Sequence, residues 1–345
     1  GLFDNRRKTS EGKHTVPVWF MRQAGRYHAH YRKMKESHDF ISLCKSPELA
    51  AAVTMGPIEE FDFDAAILFS DLLFPLEQMN MGLKYDPGPK LDWNLTHSKQ
   101  LSDLIPKIDA SSFYHFQGKA CKILKSKLAP DKTLLGFVGA PFTLFTYAVE
   151  GGHAGALINT KKGLAEGLSR GFWEILLPNL LEEMSIQAAN GAEVICLFDT
   201  AAGELDFCDY QKHLLPPLRN LTSEFKSRHP DTRLLYYSKH TTLQYLKAIE
   251  CEHIDVLAID WRIDLTEALN SLGRDYYIQG NLDPVSLHLP WKALKAKLDH
   301  WHKEMDKVKI SLDRFIASLG HGVLPGTPEQ NVKQTVEYIQ KKFIY

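Results

Sequence analysis

The sequence has no apolar run near the roughly 20 residues that a bilayer demands. Its basic, polar start from Gly1 to His14 also lacks the apolar stretch of a secretory signal. No membrane contact is expected, and the default address is the cytoplasm. Because the chain starts with Gly1 and not methionine, a processed start is expected, and a removed organelle transit peptide stays open. Cysteine is sparse. Cys44, Cys121, Cys196, Cys208 and Cys251 are odd in number and never spaced Cys-x-x-Cys, which predicts reduced thiols and argues against a disulfide or zinc framework. Net charge is nearly absent too: the formal value is −1, so no global field draws the chain to nucleic acid.

What is present suits a large enzyme fold. At 345 residues with 44% apolar content, the chain is long for an ordinary domain but normal for a (β/α)8 barrel. Eight short, mostly apolar runs read as strands buried on both faces: Val16–Phe20, Ala65–Phe69, Leu134–Val138, Val194–Phe198, Leu234–Tyr237, Val256–Ile259, Tyr276–Ile278 and Phe315–Ser318. Helical patterns separate them. Pro47–Phe61 follows a Ser46 cap, Pro178–Asn190 opens on its proline, and a last helix starts at Pro328 with Thr327 and Gln330 as a capping box. Val332, Val336, Ile339 and Phe343 share one face of that helix. Such alternation implies parallel strands with right-handed crossovers. The expectation is one (β/α)8 barrel domain over residues 1–345, with a flexible basic segment at 1–14. The stretch Asp86–Asp131, with a turn at Asp86–Pro89, reads as an insertion plus a helix between the second and third strands.

In such a barrel, chemistry collects at the carboxyl ends of the strands. Polar residues do follow the runs: Arg22, Gln23 and Arg26 after the first, Ser70 and Asp71 after the second, and Asp199 and Thr200 after the fourth. Ser238, Lys239 and His240 follow the fifth, Asp260 and Arg262 the sixth, Asn281 and Asp283 the seventh, and His321 the eighth. The third run is glycine-rich and apolar, and lacks the Gly-x-Gly-x-x-Gly of a dinucleotide site. There Phe142 and Phe145 read as flat walls for a bulky ligand. Residues 1–40 hold nine Lys/Arg against four Asp/Glu, a local basic excess.

Two long stretches carry a family resemblance. Pro17-Val-Trp-Phe-Met-Arg-Gln-Ala-Gly-Arg26 resembles the first motif of the uroporphyrinogen decarboxylase family, and Gly136-Phe-Val-Gly-Ala-Pro-Phe-Thr-Leu-Phe-Thr-Tyr147, continuing to Gly152, resembles the second. Phe69-Ser-Asp71, Phe198-Asp-Thr-Ala-Ala-Gly203, Gln279-Gly-Asn-Leu-Asp-Pro284 and Leu319-Gly-His-Gly322 follow in family order. The resemblance implies a homodimeric enzyme of haem and chlorophyll synthesis that needs no metal or organic cofactor. Its substrate would be uroporphyrinogen III, which loses four CO2 to give coproporphyrinogen III. It also implies a site of Arg22, Gln23, Ala24, Gly25, Arg26, Asp71, Tyr147, Thr200 and His321 around the substrate, with Asp71, Arg22, Tyr147 and His321 catalytic. The chain departs from the family pattern at His28-Ala-His30, at Lys35 and at Thr200, where serine is usual.

The roles follow from chemistry. Loss of CO2 from a pyrrole acetate leaves an electron pair on carbon, which the ring accepts only after protonation at carbon makes it an electron sink. Asp71 would accept hydrogen bonds from the pyrrole N–H groups and stabilise that cation. Arg22 and Arg26 would hold carboxylate arms through paired hydrogen bonds, with Arg22 either binder or acid. Tyr147 and Thr200 would orient carboxylates, and His321 would bind a propionate or assist proton transfer. Taken singly, each has an ordinary reading: Asp71 as a helix cap, the arginines in surface pairs, Tyr147 in the core, His321 structural. His28, His30, His38 and His153 are expected to be surface or helix residues without metal. Three rival functions can be named. A corrinoid-linked methyltransferase would need a His-x-Cys zinc motif, which does not occur. A barrel glycosidase would use a carboxylate pair such as Asp71 and Asp199, and a tetrapyrrole carrier would share the scaffold without the chemistry.

Overall fold

The computed structural model describes every residue except Asn5, Pro87, Lys107 and Ala154. Nine strands occur among the described residues: β1 (Ala65–Ile67), β2 (Leu83–Tyr85), β3 (Pro89–Leu91), β4 (Thr133–Gly139), β5 (Val194–Asp199), β6 (Arg233–Ser238), β7 (Val256–Ala258), β8 (Tyr277–Leu282) and β9 (Phe315–Leu319). Seven match expected runs. The other two, β2 and β3, form an antiparallel hairpin in register Leu83↔Leu91. Pro87 of the turn expected at Asp86–Pro89 lies outside the described residues, and the helix expected in the insertion is His115–Lys127.

The chain divides into two compact units, Gly1–Phe69 with Lys122–Leu135 and Asp255–Tyr345, and Ser70–Cys121 with Gly136–Ile254. Each is α/β with parallel strands. In the first, β1 pairs with the start of β4 and β8 pairs with both β7 and β9, all parallel. The run Val16–Phe20 is not a strand as expected. It touches β9 through a single bridge, Val18↔Ala317, with Ala317 N donating to Pro17 O at 2.9 Å. Pro17 has no N–H to offer a ladder, which limits the pairing there. In the second unit β5 and β6 pair in parallel from Val194↔Arg233 to Asp199↔Ser238.

Helices follow the sequence where apolar periodicity dominates. Pro47–Phe61 forms as expected, with Ser46 Oγ accepting from Leu49 N at 3.4 Å. Two expectations are corrected. Pro178 does not start a helix: Leu168–Ala189 runs through it, because Leu168, Phe172, Leu176 and Leu180 continue one buried face on both sides of the proline. The last helix is Glu329–Lys342, and Thr327 does not cap it; its hydroxyl donates to Leu324 O at 2.8 Å and meets His288 Nε2 at 3.0 Å. Val332, Val336, Ile339 and Phe343 are buried as expected. Residues of the basic segment 1–14 make defined contacts, Leu2 being buried with its N–H on Thr133 Oγ1 at 2.9 Å. All five cysteines are free thiols, with only Cys208 exposed. Among the described residues, no helix is long and apolar enough to cross a membrane.

Candidate active site

In the first unit, the segment after Val16–Phe20 turns sharply and is pinned from several sides. Trp19 Nε1 donates to Gln279 Oε1 at 2.7 Å, Ser318 Oγ donates to Trp19 O at 2.7 Å, and Val323 N donates to Met21 O at 2.9 Å. Gln23 Nε2 donates to Ala65 O at 3.0 Å while its Oε1 accepts from Phe20 N at 3.2 Å. Gln23 is buried and Ala24 packs against the cluster of Tyr31, Leu43 and Val53. Of the five consecutive residues expected at the substrate, then, the side chains of Gln23 and Ala24 serve the fold. Gly25 has no side chain, and Arg22 and Arg26 are exposed.

Arg22 occupies the left-handed region, with φ 60°, where non-glycine residues are held only by their surroundings. Those surroundings include the loop after β9. A Cβ placed on Gly322 would meet Arg22 Cδ at 2.5 Å and Cγ at 2.7 Å, so the glycine makes room for the arginine stem beside His321. His321 is half-buried on this loop. Gly322→Ala is expected to displace Arg22 and raise KM about tenfold with little change in melting temperature. Steady-state kinetics beside a thermal melt check this, and an unchanged KM would show that the arginine stem has other room.

Other polar residues expected at strand ends are tied to one another. Asp260 is buried, with Oδ1 accepting from Arg262 N at 2.8 Å and Oδ2 from Arg262 Nη1 at 3.0 Å, while Asn281 Nδ2 donates to Asp260 O at 3.0 Å. His28, expected to be a surface or helix residue, stands at the N-cap position of the helix Ala29–Ser37 and is fully buried, its Nε2 2.7 Å from Glu60 Oε2. His28, Glu60 and Glu329 place ligand atoms within 4.8 Å of one another, a spacing a metal would accept. Glu329 Oε1 already accepts from Ala29 N at 2.7 Å and lies 3.4 Å from Arg32, so ion pairing and a backbone contact account for the group.

In the second unit, Asp71 is half-buried, and its Oδ1 accepts from Leu73 N at 2.8 Å. This short turn fixes the carboxylate just before the helix Phe74–Gln78, whose N-cap position is Leu73 and not Asp71. Gly139, at the end of β4, approaches the same turn: a Cβ there would meet Leu72 O at 3.0 Å. Tyr147, 9% exposed on the helix Pro141–Glu150, has its hydroxyl 2.6 Å from His153 Nδ1. His153, expected to be a surface or helix residue, therefore stands beside an expected site residue. Phe142 and Phe145 are 1% and 0% exposed and pack inside the unit, so they are not ligand walls; the helix turns them inward.

Thr200 is half-buried at the end of β5, behind a carboxylate that the motif did not single out as functional. Asp199 is sealed, with Oδ1 accepting from Thr143 Oγ1 at 2.7 Å and Oδ2 from Tyr236 at 3.0 Å. Thr143 Oγ1 also accepts from Ala201 N at 3.1 Å, which ties the start of the helix Pro141–Glu150 to the Thr200 loop. Burial pushes the Asp199 carboxyl up to about 6, against the pull of those hydroxyls. A carboxylate so enclosed cannot act as the water-activating partner in a glycosidase pair, which weakens that rival.

Glu183, also fully buried, is pushed up to about 8 by burial, the Gln117 hydrogen bond opposing and the charge of Asp71 reinforcing the shift. Both carboxyls bind their proton more tightly folded than unfolded. Their stabilisation is complete below the unfolded values near 4 and is lost as pH rises through about 6 for Asp199 and about 8 for Glu183. Between pH 6 and 8 stability against denaturant should therefore fall as pH rises, by on the order of 1 kcal/mol per pH unit from Glu183. Glu183→Gln should flatten this slope, and a slope unaltered by the substitution would contradict the burial argument.

The sequence pattern described as Uroporphyrinogen decarboxylase (URO-D) matches residues 7–342. A uroporphyrinogen decarboxylase of Solibacter usitatus is 35% identical over 333 residues, covering 94% of this chain and 93% of its own length. One of Pelobacter propionicus is 35% identical over 329 residues, covering 94% of each. Among solved structures, a methyltransferase from Methanosarcina mazei superposes with a TM-score of 0.73 at 18% identity, covering 95% of this chain and 94% of that one, a likeness of fold alone. With a family pattern running almost end to end and relatives above one-third identity across nearly the full length, the chain belongs to the uroporphyrinogen decarboxylase family.

Proposed function

We propose that this chain removes the acetate carboxyls of uroporphyrinogen one after another, with Asp71 as the counter-charge and without a cofactor. The observation that carries the reading is the fixed, half-buried Asp71 carboxylate inside a family pattern that spans residues 7–342. For each arm, a proton adds to the pyrrole α-carbon next to the ring carbon that bears the acetate, which leaves that carbon conjugated to the cationic ring nitrogen. The C–C bond to the carboxylate then breaks, CO2 leaves with its oxygens, and the bonding pair flows into the cationic ring. Proton transfers complete the new methyl group and restore the ring, with a net uptake of one proton per CO2 released. Asp71 stabilises the ring while it is positive, a preorganised electrostatic effect that needs no reorientation at the moment of reaction.

Arg22 and Arg26, exposed on a rigid turn, suit carboxylate arms because a guanidinium binds a carboxylate through two parallel hydrogen bonds. Tyr147, Thr200 and His321 supply hydroxyl and imidazole groups for orienting arms and moving protons. The finer architecture we assign, from the family resemblance, is a single (β/α)8 barrel over residues 1–345 that acts as a homodimer.

The test is anaerobic incubation with uroporphyrinogen III, followed by oxidation and chromatography. The reading expects porphyrins with seven, six, five and four carboxyls in succession, unaffected by a chelator. An unchanged eight-carboxyl substrate would contradict it.

A further inference from the structure

A chain of buried amides and one buried acid runs through the second unit to the residue before Asp71. Gln187, on the helix Leu168–Ala189, is hydrogen-bonded to β4 on both sides: its Oε1 accepts from Phe137 N at 2.8 Å and its Nε2 donates to Phe137 O at 3.0 Å. The same Nε2 donates to Gln117 Oε1 at 3.0 Å. Gln117 Nε2 in turn donates to Glu183 Oε1 at 2.8 Å and to Ser70 Oγ at 3.0 Å. Gln117, Glu183 and Gln187 are each 1% exposed or less. The turn that carries Asp71 is thus gripped at both ends, by Gln117 on Ser70 and by Leu73 N on the Asp71 carboxylate itself.

Glu183 is an expensive residue to keep in this place. Its Oε2 has no hydrogen-bond partner among the described residues, and an unsatisfied buried polar atom destabilises the fold. An apolar side chain there would remove that atom but leave one Gln117 N–H without its acceptor, so the two costs nearly cancel. Stability alone therefore does not account for the carboxyl, whereas the orientation of Gln117 does. With Oε1 accepting, the amide of Gln117 is turned so that its N–H groups reach Ser70.

We infer that Glu183 is a positioning residue for decarboxylation, acting through the Gln117 amide and the Ser70 hydroxyl to hold Asp71 in place. The inference rests on the assignment of Asp71 as the counter-charge. Glu183 touches neither substrate nor reacting atoms in this account, so its removal should slow the chemical step and leave substrate binding alone.

The experiment compares Glu183→Leu, Glu183→Gln, Gln117→Leu and Asp71→Asn in uroporphyrinogen turnover and in thermal melts. Glu183→Leu is expected to melt within a few degrees of the parent while kcat falls on the order of tenfold and KM stays within about twofold, the signature of a misplaced reacting geometry. Glu183→Gln, whose carbonyl still accepts from Gln117, should restore most of kcat. Gln117→Leu cuts the same chain one link nearer Ser70 and should reproduce the loss, which keeps the test decisive if Glu183→Leu does not fold. A kcat within twofold of the parent for Glu183→Leu or Gln117→Leu, or an equal loss in Glu183→Gln and Glu183→Leu, would overturn the inference. If those variants behave normally while Asp71→Asn is inactive, the positioning role alone is wrong. If Asp71→Asn itself turns over normally, the counter-charge assignment is what fails.

Discussion

Asp71→Asn is expected to lower kcat on the order of 100- to 1,000-fold, with KM changed far less. The substitution is nearly isosteric, and the asparagine carbonyl still accepts from Leu73 N, so the turn before Phe74 should persist. Under the proposed mechanism, what disappears is the full negative charge available to a ring that becomes positive only on the way to CO2 loss. An interaction made mainly in the transition state appears in kcat, because substrate binding gains little from it. Thr200→Ser is the matched comparison. It keeps a hydroxyl at the end of β5 and removes one methyl group from a half-buried position, so turnover should stay within about threefold of the parent. Steady-state rates for the two variants, with thermal melts to confirm folding, decide the matter. Near-parental turnover in Asp71→Asn would remove the counter-charge from the account.

The second large effect is expected at Arg22. Arg22→Ala should lower kcat/KM roughly 10- to 100-fold, the value of one or two hydrogen bonds to a charged partner. The turn itself should survive, since it is held by Gln23, Trp19 and Val323 through bonds that do not involve the arginine side chain. The split between parameters separates the two roles open to Arg22. A pure binder of a carboxylate arm raises KM and spares kcat, and Arg22→Lys recovers part of the loss as a point charge. A proton-delivering Arg22 lowers kcat as well, with no recovery by lysine.

How much of this was legible in the sequence depends on the kind of interaction. Runs apolar on both faces, such as Val194–Phe198 and Leu234–Tyr237, became β5 and β6 because burial on two sides leaves little else for them to do. Val16–Phe20 is also apolar but makes only a bridge to β9, a difference set by Pro17 and by tertiary contacts that apolar content does not record. Pro178 misled for a related reason: a helix with a long buried face on both sides tolerates the lost hydrogen bond. Arg22, Arg26, Asp71, Tyr147, Thr200 and His321 could be proposed for the site because they stand in long motifs. Glu183 could not, since it follows Glu182 on a helix, and only the packed structure shows that one is half-exposed and the other enclosed. Gln117 and Gln187 were equally silent, as buried amides look like surface residues until their partners are known. His153 gave no signal either, its meaning coming wholly from its place against Tyr147.

The most direct test is a crystal structure with coproporphyrinogen bound under anaerobic conditions, reading the distances from the Asp71 carboxylate to the pyrrole nitrogens. The account predicts hydrogen bonds of about 2.7–3.2 Å from ring N–H groups to that carboxylate. A macrocycle bound with its nitrogens facing elsewhere, and Asp71 in contact only with solvent or protein, would contradict it.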